Sequence, residues 1–159
     1  MAKTLFERVL FPTDFSALSE KTFELVTRLR HCGTMDVIIM HVIDERDTIT
    51  IARGGSAYLG SVSTYEKKPQ KWLREDLGEN MRAVQKKAKQ ARLQVSIRMP
   101  VGSPGEQIVS IADEEHVSLI VIGSHGKSNI QKVLLGSVSD YVIKHASQPV
   151  MVVKRGQAG

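Results

Sequence analysis

The sequence predicts an α/β protein built on a doubly wound parallel sheet of five strands. Short apolar runs recur along the chain, and segments with apolar residues at helical spacing separate them. Residues 37–43 (Val-Ile-Ile-Met-His-Val-Ile) are apolar at nearly every position, which is typical of a strand covered on both faces. Because parallel strands are joined by crossover helices, this alternation favours a sheet between two helical layers.

The first part of the chain contains two predicted strands, one helix and a long insertion. Residues 9–11 form the first strand and 37–43 the second, and Gly33 is the expected C-cap of the helix between them. Apolar residues at helical spacing mark that helix: Leu18, Leu25, Val26 and Leu29. The insertion 44–70 is longer than the usual connection and rich in glycine and serine. We expect a mobile segment there, either an ordinary surface loop or a flap over a ligand.

A second helix and a third strand follow the insertion. The helix has one apolar face, formed by Leu73, Leu77, Met81, Val84, Ala88 and Ala91. Residues 95–101 alternate between apolar and polar side chains, which indicates a half-exposed strand. The segment 103–106 (Ser-Pro-Gly-Glu) predicts a capping box with proline at the first helical position.

The remaining elements complete a sheet whose order can be predicted. Residues 119–122 form a buried strand, a last helix runs to about His145, and 150–153 form the closing strand. The half-exposed third strand belongs at an edge, which gives the strand order 3-2-1-4-5. Sheets of this order bind ligands where the order reverses, at the carboxyl ends of strands one and four. Asp14 and Gly123 follow these two strands, so we expect both at one site.

Composition favours a single globular domain over residues 1–159. Apolar residues make up 42% of the chain and charged residues 25%. No apolar run approaches the roughly 20 residues that span a bilayer. Glu7 and Arg8 stand where a signal peptide needs its apolar core, so we expect a cytoplasmic protein.

Cysteine and charge exclude some classes of site. Cys32 is the only cysteine, which excludes an internal disulfide and a cysteine-based metal cluster, and we expect it to be a small packed residue. The net charge of +5 suits anionic partners without identifying one. Four cations cluster on the second helix: Lys86, Lys87, Lys89 and Arg92. Since no aromatic residues interleave them, a solvated helix face is favoured over nucleic-acid binding.

The strongest motif lies between the fourth strand and the last helix. Gly123 and Gly126 follow the strand, and Gly136-Ser137 interrupts an otherwise helical pattern. Glycine lets a ligand approach the backbone closely, and the N–H groups of a helix N-terminus attract anions. Gly126, Gly136, Ser137 and Val138 are therefore predicted to bind phosphate groups. A Walker motif is excluded because Val121 stands where its first glycine would be.

Four polar residues near these loops are further candidates: Asp14, His41, His125 and Lys127. Asp14 either caps the first helix or binds a base or sugar, since a carboxylate directed at phosphates would repel them. His41 lies inside an apolar run and is expected to be a core histidine with a hydrogen-bond partner. His125 and Lys127 lie in the glycine loop and either meet phosphate or face solvent.

The chain resembles a universal stress protein of the ATP-binding subclass. The similar segments include 9–16 (Val-Leu-Phe-Pro-Thr-Asp-Phe-Ser), 41–44 (His-Val-Ile-Asp) and 150–154 (Val-Met-Val-Val-Lys). The diagnostic motif of that subclass is Gly-x2-Gly-x9-Gly-Ser/Thr, and Gly123, Gly126, Gly136 and Ser137 match it at every position. The resemblance implies a Rossmann-like fold of the adenine nucleotide alpha hydrolase type.

The resemblance also implies a ligand and the residues that hold it. The ligand would be ATP, ADP or AMP, with Mg²⁺ or Mn²⁺ bridging the phosphates. Asp14 and the Val42 backbone would hold adenine and ribose, with Pro12, Thr13 and Ile122 lining that pocket. The phosphates would be held by Gly123, Gly126, Gly136, Ser137 and Val138. No catalytic or metal-ligating residue is assigned.

Three functions are open on the sequence alone. The favoured one is a cytoplasmic dimeric sensor or signalling module in the stress response. The others are a slow ATPase or phosphotransfer enzyme using the same site, and a ligand-free scaffold or nucleic-acid binder. The resemblance implies a homodimer through the last strand. Residues 150–153 support this, because an apolar edge strand without a protecting charge invites pairing with a second chain.

Overall fold

The computed structural model describes residues 4–44, 67–126 and 135–156, with the backbone alone described for 67–77. Strands and helices are numbered in chain order. The strands are β1 (Arg8–Pro12), β2 (Asp36–Met40), β3 (Ile43–Asp44), β4 (Gln94–Arg98), β5 (Val101–Gly102), β6 (Leu119–Gly123) and β7 (Val150–Val153). The helices are α1 (Ala17–Arg28), α2 (Lys67–Gln90), α3 (Pro104–Glu114) and α4 (Ser137–His145), and a short 3-10 turn spans Leu29–Cys32.

The main sheet has five parallel strands in the order β4-β2-β1-β6-β7. With the two short strands set aside, this is the predicted order 3-2-1-4-5, so the predicted fold class is confirmed. The short strands β3 and β5 pair with each other in a separate two-stranded sheet. β7 lies at one edge, and β4 lies at the other, as predicted for the half-exposed strand.

Both faces of the sheet are covered by helices. Val9 and Phe11 of β1 pack on one face with Phe23 of α1 and Met81 of α2. Leu10 packs on the opposite face, in a cluster formed by α3 and α4 residues: Ile108, Ile111, Ala112 and Val142. Neighbouring residues of β1 thus point to opposite layers, which is the period of two that a strand imposes. None of the described helices has the length and apolar character that crossing a membrane requires.

The predicted strand 37–43 is in fact divided, which corrects the sequence analysis. β2 ends at Met40, and the chain resumes as β3 at Ile43. His41 between them is only half-buried, so its assignment to the core was wrong. The predicted strand 95–101 is divided in the same way at Met99 and Pro100, because proline has no N–H for the ladder.

Several local predictions also need correction. α2 begins at Lys67, so the end of the predicted loop 44–70 is helical, while residues 45–66 of that loop lie outside the described residues. Ser103 and Pro104 begin α3 as predicted, but the Ser103 side chain makes no capping hydrogen bond. Cys32 is exposed instead of packed, because the 3-10 turn buries only Leu29. Gly33 ends that turn with φ +97°, which confirms it as a cap.

Two helical glycines offer a matched test of packing. A Cβ added to Gly105 would lie 2.7 Å from Cδ1 and 2.8 Å from Cγ of Tyr141, where α3 crosses α4. We expect Gly105→Ala to lower the free energy of unfolding by about 1–3 kcal/mol, because the ring must move. A Cβ added to Gly78 of α2 would lie 3.5 Å from its nearest neighbour, Arg82 Nη1. Gly78→Ala should therefore raise the free energy of unfolding by about 0.5–1 kcal/mol. Urea unfolding measures both, and equal effects would contradict the packing argument.

Candidate functional site

The site begins where β1 leaves the sheet. Its last main-chain bond is from Thr13 N–H to the carbonyl of Met40, at 2.8 Å. Asp14 follows, and its Oδ1 accepts hydrogen bonds from the Ser19 hydroxyl at 2.7 Å and from the Ser16 N–H at 3.0 Å. Ser16 is itself the N-cap of α1. One carboxylate oxygen therefore orders the start of the helix, which supports the capping reading for that oxygen.

The other Asp14 oxygen faces the glycine loop. A Cβ built on Gly126 would lie 3.0 Å from Asp14 Oδ2. The loops after β1 and β6 therefore meet, as the strand order predicted. Any side chain larger than that of glycine at position 126 would press on the carboxylate.

Phe15 has a strained backbone in the same loop. Its φ is +59°, in the left-handed region, which costs about 1–2 kcal/mol for a residue with a Cβ. The Phe15 N–H donates to Thr13 Oγ1 at 3.0 Å, and the ring stacks on His41 with centroids 4.9 Å apart. Strain of this kind persists where the surroundings over-determine a loop, and it is concentrated at functional sites.

The peptide groups of Val42 face the same space. The N–H groups of His41 and Ile43 donate to the carbonyls of Arg98 and Pro100, at 3.0 and 2.8 Å. Because N–H and C=O directions alternate along an extended chain, the N–H and C=O of Val42 point the opposite way, towards the end of β1. They meet the opening that β1 creates when it turns away after Thr13.

Ser124 connects the glycine loop to the edge strand and to α4. Its N–H donates to the Val153 carbonyl at 2.8 Å, and its own carbonyl accepts from Gly136 N–H at 2.6 Å. The Ser139 hydroxyl also lies 3.0 Å from that carbonyl. Ser124 and Ser139 are buried and were missed by the sequence analysis. The sequence signal for Ser124 is its position next to the motif glycine Gly123, whereas Ser139 lies three residues after Gly136 with no such signal.

The helix α4 begins at the predicted break. Gly136 is the N-cap, with φ −76° and ψ 164°, and helical residues start at Ser137. Since Gly136 N–H already bonds Ser124, the groups left to an anion are the N–H donors of the first helical turn, including Ser137 and Val138. Ser137 is exposed and Val138 is half-buried.

Apolar predicted site residues line the neighbouring wall. Pro12 and Thr13 are buried at the end of β1. Ile122 belongs to the core cluster on the α3/α4 face, and Val42 and Val138 pack against that cluster. The structure thus places an apolar wall between the two backbone segments predicted to bind a ligand.

Of the two polar candidates in the glycine loop, the structure describes His125 and not Lys127. His125 Nδ1 lies 2.8 Å from the buried Ser124 hydroxyl, which orients the imidazole. Lys127 belongs to residues 127–134, which lie outside the described residues. Within the described ranges, no three His, Cys, Asp or Glu side chains come together as a metal site.

Comparison with known proteins shows which family the sequence matches. Residues 5–154 match the sequence profile of the universal stress protein family. The universal stress protein MJ0577 of Methanocaldococcus jannaschii is 36% identical over 156 residues, which cover 95% of this chain and 96% of that protein. A solved structure of hypothetical protein MJ0577 has a TM-score of 0.83 at 34% identity, covering 97% of this chain and 99% of that one.

Two more distant structures share the fold and contain nucleotides. A universal stress protein in complex with cAMP has a TM-score of 0.65 at 22% identity, over 94% of this chain and 97% of that one. A universal stress protein family protein from Arabidopsis thaliana with AMP bound has a TM-score of 0.61 at 16% identity, over 94% and 92% of the two chains. The profile match and the full-length relative carry the conclusion: the chain belongs to the universal stress protein family.

Proposed function

We propose that this protein is an adenine-nucleotide-binding module of the ATP-binding type, acting as a dimeric sensor or signalling protein. The observation that carries the proposal is that three groups follow the carboxyl ends of the neighbouring strands β2, β1 and β6. These are the outward-facing Val42 peptide groups, the Asp14 carboxylate and the N-terminus of α4. A base, a sugar and a phosphate need these three kinds of partner, in this order.

The nucleoside end belongs on the side of Val42 and Asp14. An N–H and a C=O on one peptide edge match the acceptor and donor on the edge of adenine, without side-chain involvement. Ribose hydroxyls donate to a carboxylate, and the Asp14 carboxylate lies at the mouth of the crevice with Oδ2 towards Gly126. The apolar wall of Pro12, Ile122 and Val42 suits the faces of a base.

The phosphate end belongs at the start of α4. The first helical turn presents unpaired N–H groups and the positive end of the helix dipole. Gly136 has room for a Cβ, since the nearest atom would be the Ser124 carbonyl oxygen at 3.4 Å. Its φ of −76° is open to any residue. Glycine is therefore not required there by the fold, which supports a ligand as the reason for it.

A divalent ion is part of the proposal. Mg²⁺ or Mn²⁺ would neutralise phosphate charge and take most of its ligands from phosphate oxygens and water. The family relatives that hold cAMP and AMP support an adenine nucleotide as the ligand class. ATP in particular rests on the Gly123, Gly126, Gly136 and Ser137 spacing.

Gly136→Val tests the phosphate site. The branched side chain would stand beside the N–H groups of α4, so we expect ATP with Mg²⁺ to bind at least about tenfold more weakly, or about 1.4 kcal/mol. Isothermal titration calorimetry measures the affinity, and circular dichroism checks that the fold is retained. Gly78→Val on α2 is the control and should leave ATP affinity unchanged. Unaltered ATP binding by a folded Gly136→Val protein would refute the assigned phosphate site.

Asp14→Ala tests the orientation of the ligand. Loss of hydrogen bonds to a carboxylate costs about 1.5–3 kcal/mol, so adenosine should bind about ten- to a hundredfold more weakly. Inorganic tripolyphosphate should bind as before or more tightly, because a negative charge is removed. Ser19→Ala removes the internal 2.7 Å bond to Asp14 while keeping the carboxylate, and it serves as the matched control. A larger loss for tripolyphosphate than for adenosine would mean that the ligand is reversed.

The edge strand supports the proposed dimer. The carbonyls of Pro149 and Val153 accept bonds from Ile120 of β6 and from Ser124 just after it. The peptide groups of Val150 and Val152 therefore point outward by alternation. Val152→Pro removes an outward N–H and leaves the β6 ladder intact. We expect this variant to be a folded monomer, while Met151→Pro should destabilise the fold itself. Sedimentation equilibrium gives the mass, and a monomeric wild-type protein at micromolar concentration would contradict the dimer.

A further inference from the structure

The end of the β1–β2 ladder is irregular at one position. In a regular parallel ladder, a strand residue that donates to one carbonyl accepts from the N–H two residues further along. Thr13 donates to Met40, so its carbonyl should accept from Val42. No hydrogen bond joins the Val42 N–H to the Thr13 carbonyl, although both residues are described.

The His41 imidazole takes that position instead. Its Nδ1 lies 2.8 Å from the Thr13 carbonyl oxygen. A carbonyl can only accept, so Nδ1 carries the proton. The ring is held in place by its stack on Phe15 and by the main-chain bond from His41 N–H to Arg98. A side-chain donor therefore replaces the main-chain donor at the last step of the ladder.

We infer that His41 determines base recognition by satisfying the Thr13 carbonyl and so leaving the Val42 N–H directed into the crevice. Were this carbonyl of the buried Thr13 unpaired, the Val42 N–H would be drawn to it, because an unsatisfied carbonyl is costly. The Val42 N–H would then be hydrogen-bonded within the sheet and would not be available to a ligand. His41 acts as a positioning residue, through Val42, and the inference rests on the proposed function.

The two components of the His41 side chain can be separated by substitution. His41→Asn keeps an N–H donor at nearly the position of Nδ1 and removes the ring. His41→Phe keeps the ring against Phe15 and removes the donor. A packing role predicts that the Phe variant resembles the wild type, whereas donation to Thr13 predicts that the Asn variant does.

The first measurement is amide hydrogen exchange by NMR on the full-length protein without ligand. We expect the Val42 amide of the His41→Phe variant to exchange more slowly than in the wild type, because it closes onto the Thr13 carbonyl. The His41→Asn variant should exchange at the wild-type rate. General loosening by a lost contact would accelerate exchange, so an equal or faster Val42 rate in the Phe variant would overturn the inference.

The second measurement compares AMP with ribose 5-phosphate, which lacks the base. AMP should bind the Phe variant about tenfold more weakly than the wild type, while ribose 5-phosphate affinity stays within about twofold. The Asn variant should keep the preference for AMP. An unchanged AMP preference in the Phe variant would refute base recognition through His41. Failure of the wild type to bind AMP would overturn the proposed function, and amide exchange would then decide the His41–Val42 relation alone.

Discussion

The central strand β1 stops pairing with β6 after Leu10 and with β2 after Pro12. The proposed crevice depends on this early end of β1. On the β6 side the register covers only Val9↔Leu119 and Leu10↔Ile120. The next donor towards β6 would be residue 12, which is proline and has no N–H. On the β2 side the last main-chain bond is made by Thr13. The chain then leaves the plane of the sheet, while β6 continues beyond its pairing with β1 to Gly123 and the segment after β2 runs through His41 and Val42 to β3.

This early exit explains the unusual chemistry of the β1–α1 loop. Only four residues separate the end of β1 at Pro12 from the start of α1 at Ala17. The reversal is achieved with a left-handed Phe15 and with three internal hydrogen bonds to Thr13 Oγ1 and Asp14 Oδ1. Two of these bonds fix Asp14 Oδ1 at the end of β1, which would place the carboxylate for the proposed ligand. A preorganised carboxylate loses less entropy on binding than a free one.

The sequence predicted the elements well because their signals are local or periodic. The helix break at Gly136 and the order of the strands follow from glycine chemistry and burial patterns, and both are confirmed. The division of the second strand at His41 was not predictable in the same way. Val42 and Ile43 continue the apolar pattern of β2, and their separation from that strand depends on where a different strand, β1, turns away.

Residues of the site that act through the backbone were also hard to recognise. The main-chain N–H and C=O of Ser124 bond to Val153, Gly136 and Ser139, so these contacts do not depend on the type of side chain at position 124. The Ser139 hydroxyl is buried and serves a carbonyl fifteen residues away in sequence. Such contacts are decided by tertiary packing, and the sequence records only that a small polar residue fits.

The glycines show how structure distinguishes a folding requirement from a binding one. Gly33 has a positive φ, and a Cβ there would strike Thr4. Gly105 is required by close packing against the Tyr141 ring. Gly136 has neither requirement, because its backbone is extended and its Cβ position is in ordinary contact with its neighbours. A residue that the fold leaves free, at the N-terminus of a helix, supports the proposal that a ligand needs the space.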